Sequence, residues 1–189
     1  MQGNGGPEEE DLRRGFVRGG WARPFFAGDD EAMMFAQEDY KRADAFLFGR
    51  RTYELFAGYW GVMDNSASPF AAALNTRPKY VASTTLTNPR WVDTTILSGD
   101  LATAIGELKA KPEGELQVVG SGVLIRWLLE KELVDEIHLL IVPVVVGQGT
   151  RLFPDGGRDV ALELVDSRTF PEGTTSQVYR VAGRPQYAT

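Results

Sequence analysis

Residues 116–125 read LQVVGSGVLI, an apolar stretch that enters a glycine turn and continues as a second apolar stretch. The pattern predicts a strand over Leu116–Val119, a tight turn at Gly120-Ser121-Gly122 and a helix from Val123. The first backbone N–H groups of a helix have no partner within it, and the helix dipole adds positive potential there. Glycines allow an anion to approach the backbone closely, so this segment predicts an anion site. The alternative is a plain turn that joins a strand to a helix.

A second strand-to-helix turn has the same character. The apolar run Ala45–Phe48 ends at Gly49-Arg50-Arg51-Thr52. Thr52 is predicted to cap the following helix, and the two arginines can clamp a phosphate because guanidinium groups match phosphate oxygens. A third candidate, Ser83-Thr84-Thr85, follows the predicted strand Lys79–Ala82, and its hydroxyls can bond a phosphate. The alternatives are a capped helix with solvated arginines and an ordinary polar turn.

The glycine turn at residues 120–122 does not match the dinucleotide fingerprint of Rossmann folds. Ile125 stands at the place of the third glycine. No acidic residue lies about twenty positions further on in a second strand–helix unit, as that fingerprint requires. A dinucleotide would therefore have to be held in another way.

The composition excludes several classes of chemistry. The chain has 189 residues, no cysteine and one histidine, His138. Disulfide frameworks, thiolate catalysis and cysteine-ligated metals are therefore excluded, and so is a Ser-His-Asp triad elsewhere in the chain. His138 alternates with apolar neighbours in a predicted strand, which favours a structural role. The net charge of −6 disfavours non-specific nucleic-acid binding, which needs a basic surface.

Length and hydropathy favour a soluble, cytoplasmic, single-domain protein. The apolar run Leu139–Val146 is too short to cross a bilayer, and the N-terminus has no signal-peptide pattern. Residues 1–28 are predicted to form a lid-like loop, in part disordered, and residues 183–189 a mobile tail. Between them, strands and helices alternate before consecutive strands end the chain. This order predicts an α/β protein with a mixed sheet.

The individual elements follow from the periodicity of apolar residues. A helix is predicted from Asp30, and a further helix over Asp100–Ala110. Strands are predicted at Thr94–Leu97, Glu136–Val146, Ala161–Phe170 and Thr175–Val181. Pro143 within the predicted strand Glu136–Val146 indicates an edge strand or a bulge. This long strand and the terminal hairpin could pair subunits, so a homodimer is a prediction as well.

The three turns, in this order, resemble the dihydrofolate reductase-like family. Within that family the chain is most similar to bacterial proteins related to the reductase domain of the riboflavin-biosynthesis deaminase/reductase. Residues 143–149, PVVVGQG, and 152–154, LFP, are also similar to that subfamily. The resemblance implies a three-layer αβα domain over residues 29–182, with a mixed, mostly parallel sheet and a C-terminal antiparallel hairpin.

The resemblance also implies NADPH as cofactor and hydride transfer to a small heterocycle, pterin-like or pyrimidine-like. The cofactor would be held by three groups of residues: Gly49, Arg50, Arg51 and Thr52; Ser83 and Thr84; and Gly120, Ser121, Gly122, Val123 and Leu124. Aromatic rings stack on flat heterocycles, so the residues considered for the substrate are Trp21, Met33, Phe56 and Trp60. Core packing is the alternative for Phe56.

The chain departs from the family pattern in two places. Met33 stands where dihydrofolate reductases have a carboxylate, and Asp29, Asp30 and Glu31 are expected to cap the helix instead. No catalytic residue is therefore assigned, and a non-catalytic nucleotide-binding or regulatory protein of the same fold is the alternative function. The family's first strand is missing from the sequence, which suggests that Met1 is internal to a longer chain or that a partner fills the gap.

Overall fold

A computed structural model describes residues 15–111, 114–153 and 155–188. The helices are α1 (Arg23–Phe26), α2 (Asp30–Arg42), α3 (Arg50–Tyr59), α4 (Pro69–Thr76), α5 (Leu101–Lys109) and α6 (Gly122–Glu130). The strands are β1 (Ala43–Gly49), β2 (Lys79–Ala82), β3 (Thr94–Leu97), β4 (Glu115–Val118), β5 (Glu136–Ile141), β6 (Leu162–Thr169) and β7 (Thr175–Val181). Two short 3₁₀ turns, Trp60–Val62 and Asn65–Ala67, lie between α3 and α4. None of the helices in the described ranges is long and apolar enough to span a membrane.

Strands β1 to β4 form a parallel sheet. Their order is β3-β2-β1-β4, and each neighbouring pair is parallel. Parallel strands need crossover connections, and the intervening helices supply them. The centre of β1 is buried at Phe46, Leu47 and Phe48 because a strand inside such a sheet is covered on both faces.

The last three strands form a separate antiparallel sheet in the order β5-β7-β6. The turn 171–173 joins β6 to β7, with Gly173 at φ +81°. The predicted α/β fold with a parallel part and a C-terminal antiparallel hairpin is confirmed, and β5 joins the antiparallel part. The prediction that this strand continues to Val146 is wrong. It ends at Ile141, before Pro143, because proline has no N–H to donate to a ladder.

By compactness the chain divides into two units. One comprises the residues up to Met34 together with those from Leu128 onward, and the other comprises Phe35–Trp127. In the first unit, α1 lies within the predicted loop 1–28, of which the structure describes residues 15–28. Within residues 15–42 the structure has no strand. The single-domain boundary 29–182, the tail and the homodimer stay predictions.

The core of the Phe35–Trp127 unit is aromatic. Phe46, Phe48, Tyr53 and Trp91 are buried together with Leu74 and Val81. The rings of Phe46 and Phe48 stack at a centroid distance of 6.1 Å, and those of Phe48 and Trp91 at 6.0 Å. Large rings bury more apolar area than other side chains, so this cluster fixes α3 and α4 against the parallel sheet.

Lys79 is a fully buried lysine at the start of β2. Its amine donates hydrogen bonds to the carbonyl oxygens of Leu74 at 2.9 Å and Arg77 at 2.6 Å, at the end of α4. It also lies 5.0 Å from the ring centroid of Trp91. Burial disfavours the charged form and lowers the pKa of Lys79 to about 8. The lysine therefore satisfies carbonyl groups that a helix end leaves without partners.

Replacing Tyr53 by phenylalanine is expected to lower the free energy of unfolding by about 2 kcal/mol. The Tyr53 hydroxyl accepts a hydrogen bond from the buried backbone N–H of Trp91 at 2.9 Å, and phenylalanine would leave that N–H without a partner. Urea denaturation measures the change. Tyr59→Phe is the matched control because Tyr59 is 44% exposed, and it should unfold like the wild type. Equal stabilities for both variants would contradict the role of the Tyr53 hydroxyl.

Candidate functional site

The three predicted turns meet at one edge of the parallel sheet. Strand β1 ends at Gly49, which pairs with Ala82 at the end of β2. On the other side Leu47 of β1 pairs with Val118 at the end of β4. Because parallel strands share their carboxyl edge, the turns after β2, β1 and β4 are neighbours in that order. This is the edge at which open α/β sheets bind ligands.

Two reciprocal hydrogen bonds join the turns after β1 and β4. The backbone N–H of Gly49 donates to Oγ of Ser121 at 2.9 Å. The backbone N–H of Ser121 in turn donates to Oγ1 of Thr52 at 3.0 Å. Since both turns lead directly into helices, the bonds place the beginnings of α3 and α6 side by side. Two helix N-termini with open N–H groups then face the same edge of the sheet.

The turn after β4 has an unusual backbone. Gly120 has φ +64° and Ser121 has φ +48°, so two successive residues are left-handed. A Cβ added to Gly120 would lie 3.0 Å from Cγ2 of Thr52, which is tighter than nearly all Cβ contacts in proteins. Both the conformation and the limited space therefore favour glycine at position 120. The sequence predicted the turn, and its contact with Thr52 was not foreseen.

The predicted cap of α3 is wrong. The helix begins at Arg50 with Gly49 as N-cap residue, so Thr52 lies inside the first turn. Gly49 has an extended backbone with φ −76°, and an added Cβ would make only ordinary contacts. Gly49 is thus not required by conformation. The Thr52 hydroxyl is directed to Ser121 instead of capping its own helix.

Arg50 connects the start of α3 to the turn after β2. Its Nε donates to Oε1 of Glu54 at 2.8 Å, and its Nη1 donates to Oγ1 of Thr85 at 2.6 Å. The Ser83 hydroxyl accepts the backbone N–H of Thr85 at 3.2 Å and so shapes the same turn. Sequence reasoning missed Glu54 as a partner of Arg50, although its spacing of four residues is the usual one for helical ion pairs. The guanidinium group is thereby held in a fixed direction.

The remaining predicted cofactor residues lie at the same edge of the sheet. Arg51 occupies the first turn of α3, and Thr84 is an exposed residue of the turn after β2. Gly122 begins α6, where Val123 is 70% exposed and Leu124 is buried. All the predicted cofactor residues thus lie in the Phe35–Trp127 unit, on the three neighbouring turns or the first turn of an adjoining helix. Their contacts with a cofactor stay a prediction.

The predicted substrate residues divide between the two units. Phe56 and Trp60 lie in the Phe35–Trp127 unit and pack against its aromatic core, with Phe56 at 5.6 Å from Phe48 and Trp60 at 5.8 Å from Phe70. Both side chains are half-buried. Trp21 and Met33 belong to the other unit, where both are half-buried. Their role in substrate binding stays a prediction.

Asp29 is a buried carboxylate that caps α2. Its Oδ1 accepts the backbone N–H of Ala32 at 2.9 Å, as predicted for a helix start. Its Oδ2 accepts the backbone N–H of Glu172 at 3.0 Å, in the turn between β6 and β7. Glu31 of α2 and Arg168 of β6 form an ion pair of 2.9 Å. Both oxygens of Asp29 are thus used for structure. In the described parts of the chain, the structure shows no cluster of acidic and histidine residues suited to a metal ion.

Comparison with known structures supports the fold. A putative riboflavin biosynthesis protein from Shewanella sp. PV-4 superposes with a TM-score of 0.63 at 24% identity, over 82% of this chain and 81% of the other. A pyrimidine reductase-like protein from Corynebacterium diphtheriae gives 0.58 at 17% identity, over 84% and 83%. RibD from Acinetobacter baumannii gives 0.55 at 13% identity, over 80% of this chain and 50% of RibD. The chain therefore has the dihydrofolate reductase-like fold.

Sequence comparison establishes the family. Residues 15–176 match the sequence profile of the RibD C-terminal domain, and the chain belongs to that family. The Bacillus subtilis protein YyaP, described as uncharacterized, is 29% identical over 142 residues, which are 74% of this chain and 75% of YyaP. Family and structural neighbours together indicate a reductase-type role.

Proposed function

We propose that the protein is an NADPH-dependent reductase that transfers a hydride to a small heterocyclic substrate, pterin-like or pyrimidine-like. The family membership and the reductase-like neighbours support an oxidoreductase. The observation that carries the proposal is the pair of helix starts joined through Gly49, Thr52 and Ser121. A dinucleotide cofactor has a diphosphate that needs such a site.

The residues present fit a phosphate-bearing cofactor. Gly120 lets the turn after β4 pack closely against Thr52, since an added Cβ would lie 3.0 Å from its Cγ2, and so brings this turn beside the start of α3. The first turns of α3 and α6 offer N–H groups and positive dipole ends, which bind phosphate groups without any side-chain charge. Arg50 adds a guanidinium group oriented by Glu54 and Thr85, which suits a further phosphate such as the one on the adenosine ribose.

In this proposal the chain binds and orients the cofactor and the substrate, and NADPH supplies the hydride when bound. The α3 and α6 starts hold the diphosphate, while Arg50 with Ser83 and Thr84 holds the adenosine end. Phe56 and Trp60 are proposed to contact the substrate ring, because aromatic side chains stack on flat heterocycles.

The proposal is tested by NADPH titration of the wild type and of Arg50→Ala. We expect the variant to bind NADPH about tenfold to a hundredfold more weakly and NADH unchanged, because Arg50 would contact the phosphate that only NADPH carries. Arg90→Ala is the matched control, since Arg90 is an exposed arginine of the same unit. Steady oxidation of NADPH with one of a panel of pterins and pyrimidines would then demonstrate turnover. A wild-type protein that does not bind NADPH refutes the proposal.

One observation favours the alternative, a nucleotide-binding or regulatory protein without turnover. Asp29, the buried acid closest in sequence to Met33, uses both of its oxygens to accept backbone N–H groups. Such a carboxylate has no free oxygen directed at a substrate. Tight NADPH binding without oxidation by any substrate of the panel is the result that this alternative predicts.

A further inference from the structure

Thr52 and Ser121 form a reciprocal pair between the two proposed phosphate turns. Thr52 accepts the Ser121 N–H at 3.0 Å, and Ser121 accepts the Gly49 N–H at 2.9 Å. The bonds join residues 69 and 72 positions apart in the chain. They therefore set the position of one helix start relative to the other, which local structure cannot do.

We propose that Thr52 and Ser121 are positioning residues and that their hydroxyl oxygens hold the two helix starts at the separation a diphosphate requires. This inference rests on the proposed function, since it concerns how the same site is built. The hydroxyl oxygens and the backbone N–H groups of the site then have different roles. The Thr52 and Ser121 hydroxyl oxygens accept from the protein backbone, while the open N–H groups of the α3 and α6 first turns face the phosphates.

The hydrogen bonds of the two turns support this assignment of roles. The backbone N–H groups of Gly49 and Ser121 each donate to a hydroxyl of the pair, so neither is available to a phosphate. The next N–H groups belong to the first turns of α3 and α6, whose helical bonds begin later; the Ile125 N–H, for example, donates to the Ser121 carbonyl. Phosphate binding thus falls to helical N–H groups from two elements.

The backbone of Ser121 gives a second, independent indication. Its φ of +48° is unfavourable for a residue with a side chain, and glycine would adopt it more easily. The serine hydroxyl accepts a hydrogen bond from the Gly49 N–H at the start of α3, and glycine has no side chain that could accept it. Residues in strained conformations persist where the surrounding structure holds them, and such positions concentrate at functional sites.

Thr52→Val and Thr52→Ser test the inference as a matched pair. Valine keeps the shape of threonine and removes the acceptor, whereas serine keeps the acceptor. We expect valine to weaken NADPH binding about tenfold and serine to restore it to within about twofold. Thr95→Val is the control for the same chemical change, since Thr95 is exposed on β3. It should bind NADPH like the wild type.

Amide hydrogen exchange of ligand-free protein, followed residue by residue by NMR, gives a readout that does not depend on NADPH. In Thr52→Val the Ser121 N–H should exchange faster than in the wild type, because its acceptor is gone. Weaker NADPH binding without faster exchange of the Ser121 N–H would mean that Thr52 contacts the cofactor directly, and it would overturn the inference. Unchanged binding together with unchanged exchange would overturn it too.

Ser121→Gly separates positioning from stability. Glycine relieves the left-handed backbone but removes the acceptor for Gly49, and these effects on stability oppose each other. We expect thermal stability close to that of the wild type and NADPH affinity lower by about fivefold to tenfold. Wild-type affinity in this variant would contradict the inference and leave the proposed function intact. A wild-type protein that binds no NADPH would instead refute the proposed function.

Discussion

The Gly120→Val variant is expected to bind NADPH about a hundredfold more weakly than the wild type. Valine at φ +64° is strained, and its Cβ would lie 3.0 Å from Cγ2 of Thr52. If the turn moves to relieve backbone strain of about 1–2 kcal/mol and steric crowding of about 1–3 kcal/mol, NADPH binding must restore the original geometry, and that cost matches the loss. The turn can escape only by moving away from Thr52, which displaces the start of α6. Isothermal titration calorimetry with NADPH measures the effect.

Gly156→Val is the matched control for this prediction. Gly156 has φ +76°, so valine there meets the same backbone strain, but an added Cβ has no neighbour within 4 Å. The control should therefore lose stability and keep the NADPH affinity of the wild type. If Gly120→Val keeps that affinity as well, the turn after β4 is not part of the cofactor site.

The parallel sheet could be predicted from local sequence. Strands β2 and β3 have the bounds that the apolar runs predicted. These runs are short, rich in β-branched or aromatic residues, and flanked by glycine, proline or polar turns. The structure adds the strand order, which places the turns after β1, β2 and β4 at the same carboxyl edge. The role of their residues in cofactor binding stays a prediction.

Long-range contacts explain what the sequence could not show. Thr52 has the residue type and place of a helix cap, yet Ser121, far along the chain, provides the N–H that it accepts. Lys79 is charged and would be expected on the surface, yet the carbonyl groups at the end of α4 make its burial possible. Both features depend on partners that periodicity does not identify.

The sequence also did not show which residues of the candidate site bond to the protein itself. The family resemblance implied that Arg50 and Thr52 hold phosphates and that Ser121 belongs to a second group around the diphosphate. The structure directs two of them to the protein backbone and holds the third between Glu54 and Thr85. Hydroxyl and guanidinium groups serve equally well as ligands and as supports for other groups. Only geometry distinguishes these uses.

The stability of the wild type relative to Lys79→Met is expected to rise with pH between about 8 and about 10.5, by up to about 3 kcal/mol. Burial lowers the pKa of Lys79 from 10.5 to about 8 in the folded protein. In this window the unfolded chain keeps a proton that the folded protein has released, so raising the pH favours folding. Below about pH 8 both states are charged and the full desolvation penalty is present.

Urea denaturation of both proteins at a series of pH values measures this difference, and the subtraction removes the titration of every other group. Methionine fills a similar volume but cannot donate to the carbonyl oxygens of Leu74 and Arg77, so the variant keeps the core and loses the titration. Lys131→Met is the control, because Lys131 is exposed, and its stability should follow that of the wild type at every pH. A constant difference between wild type and Lys79→Met across the window would mean that the buried amine keeps its proton, in which case the helix-end carbonyl groups stabilise the charge more strongly than burial disfavours it.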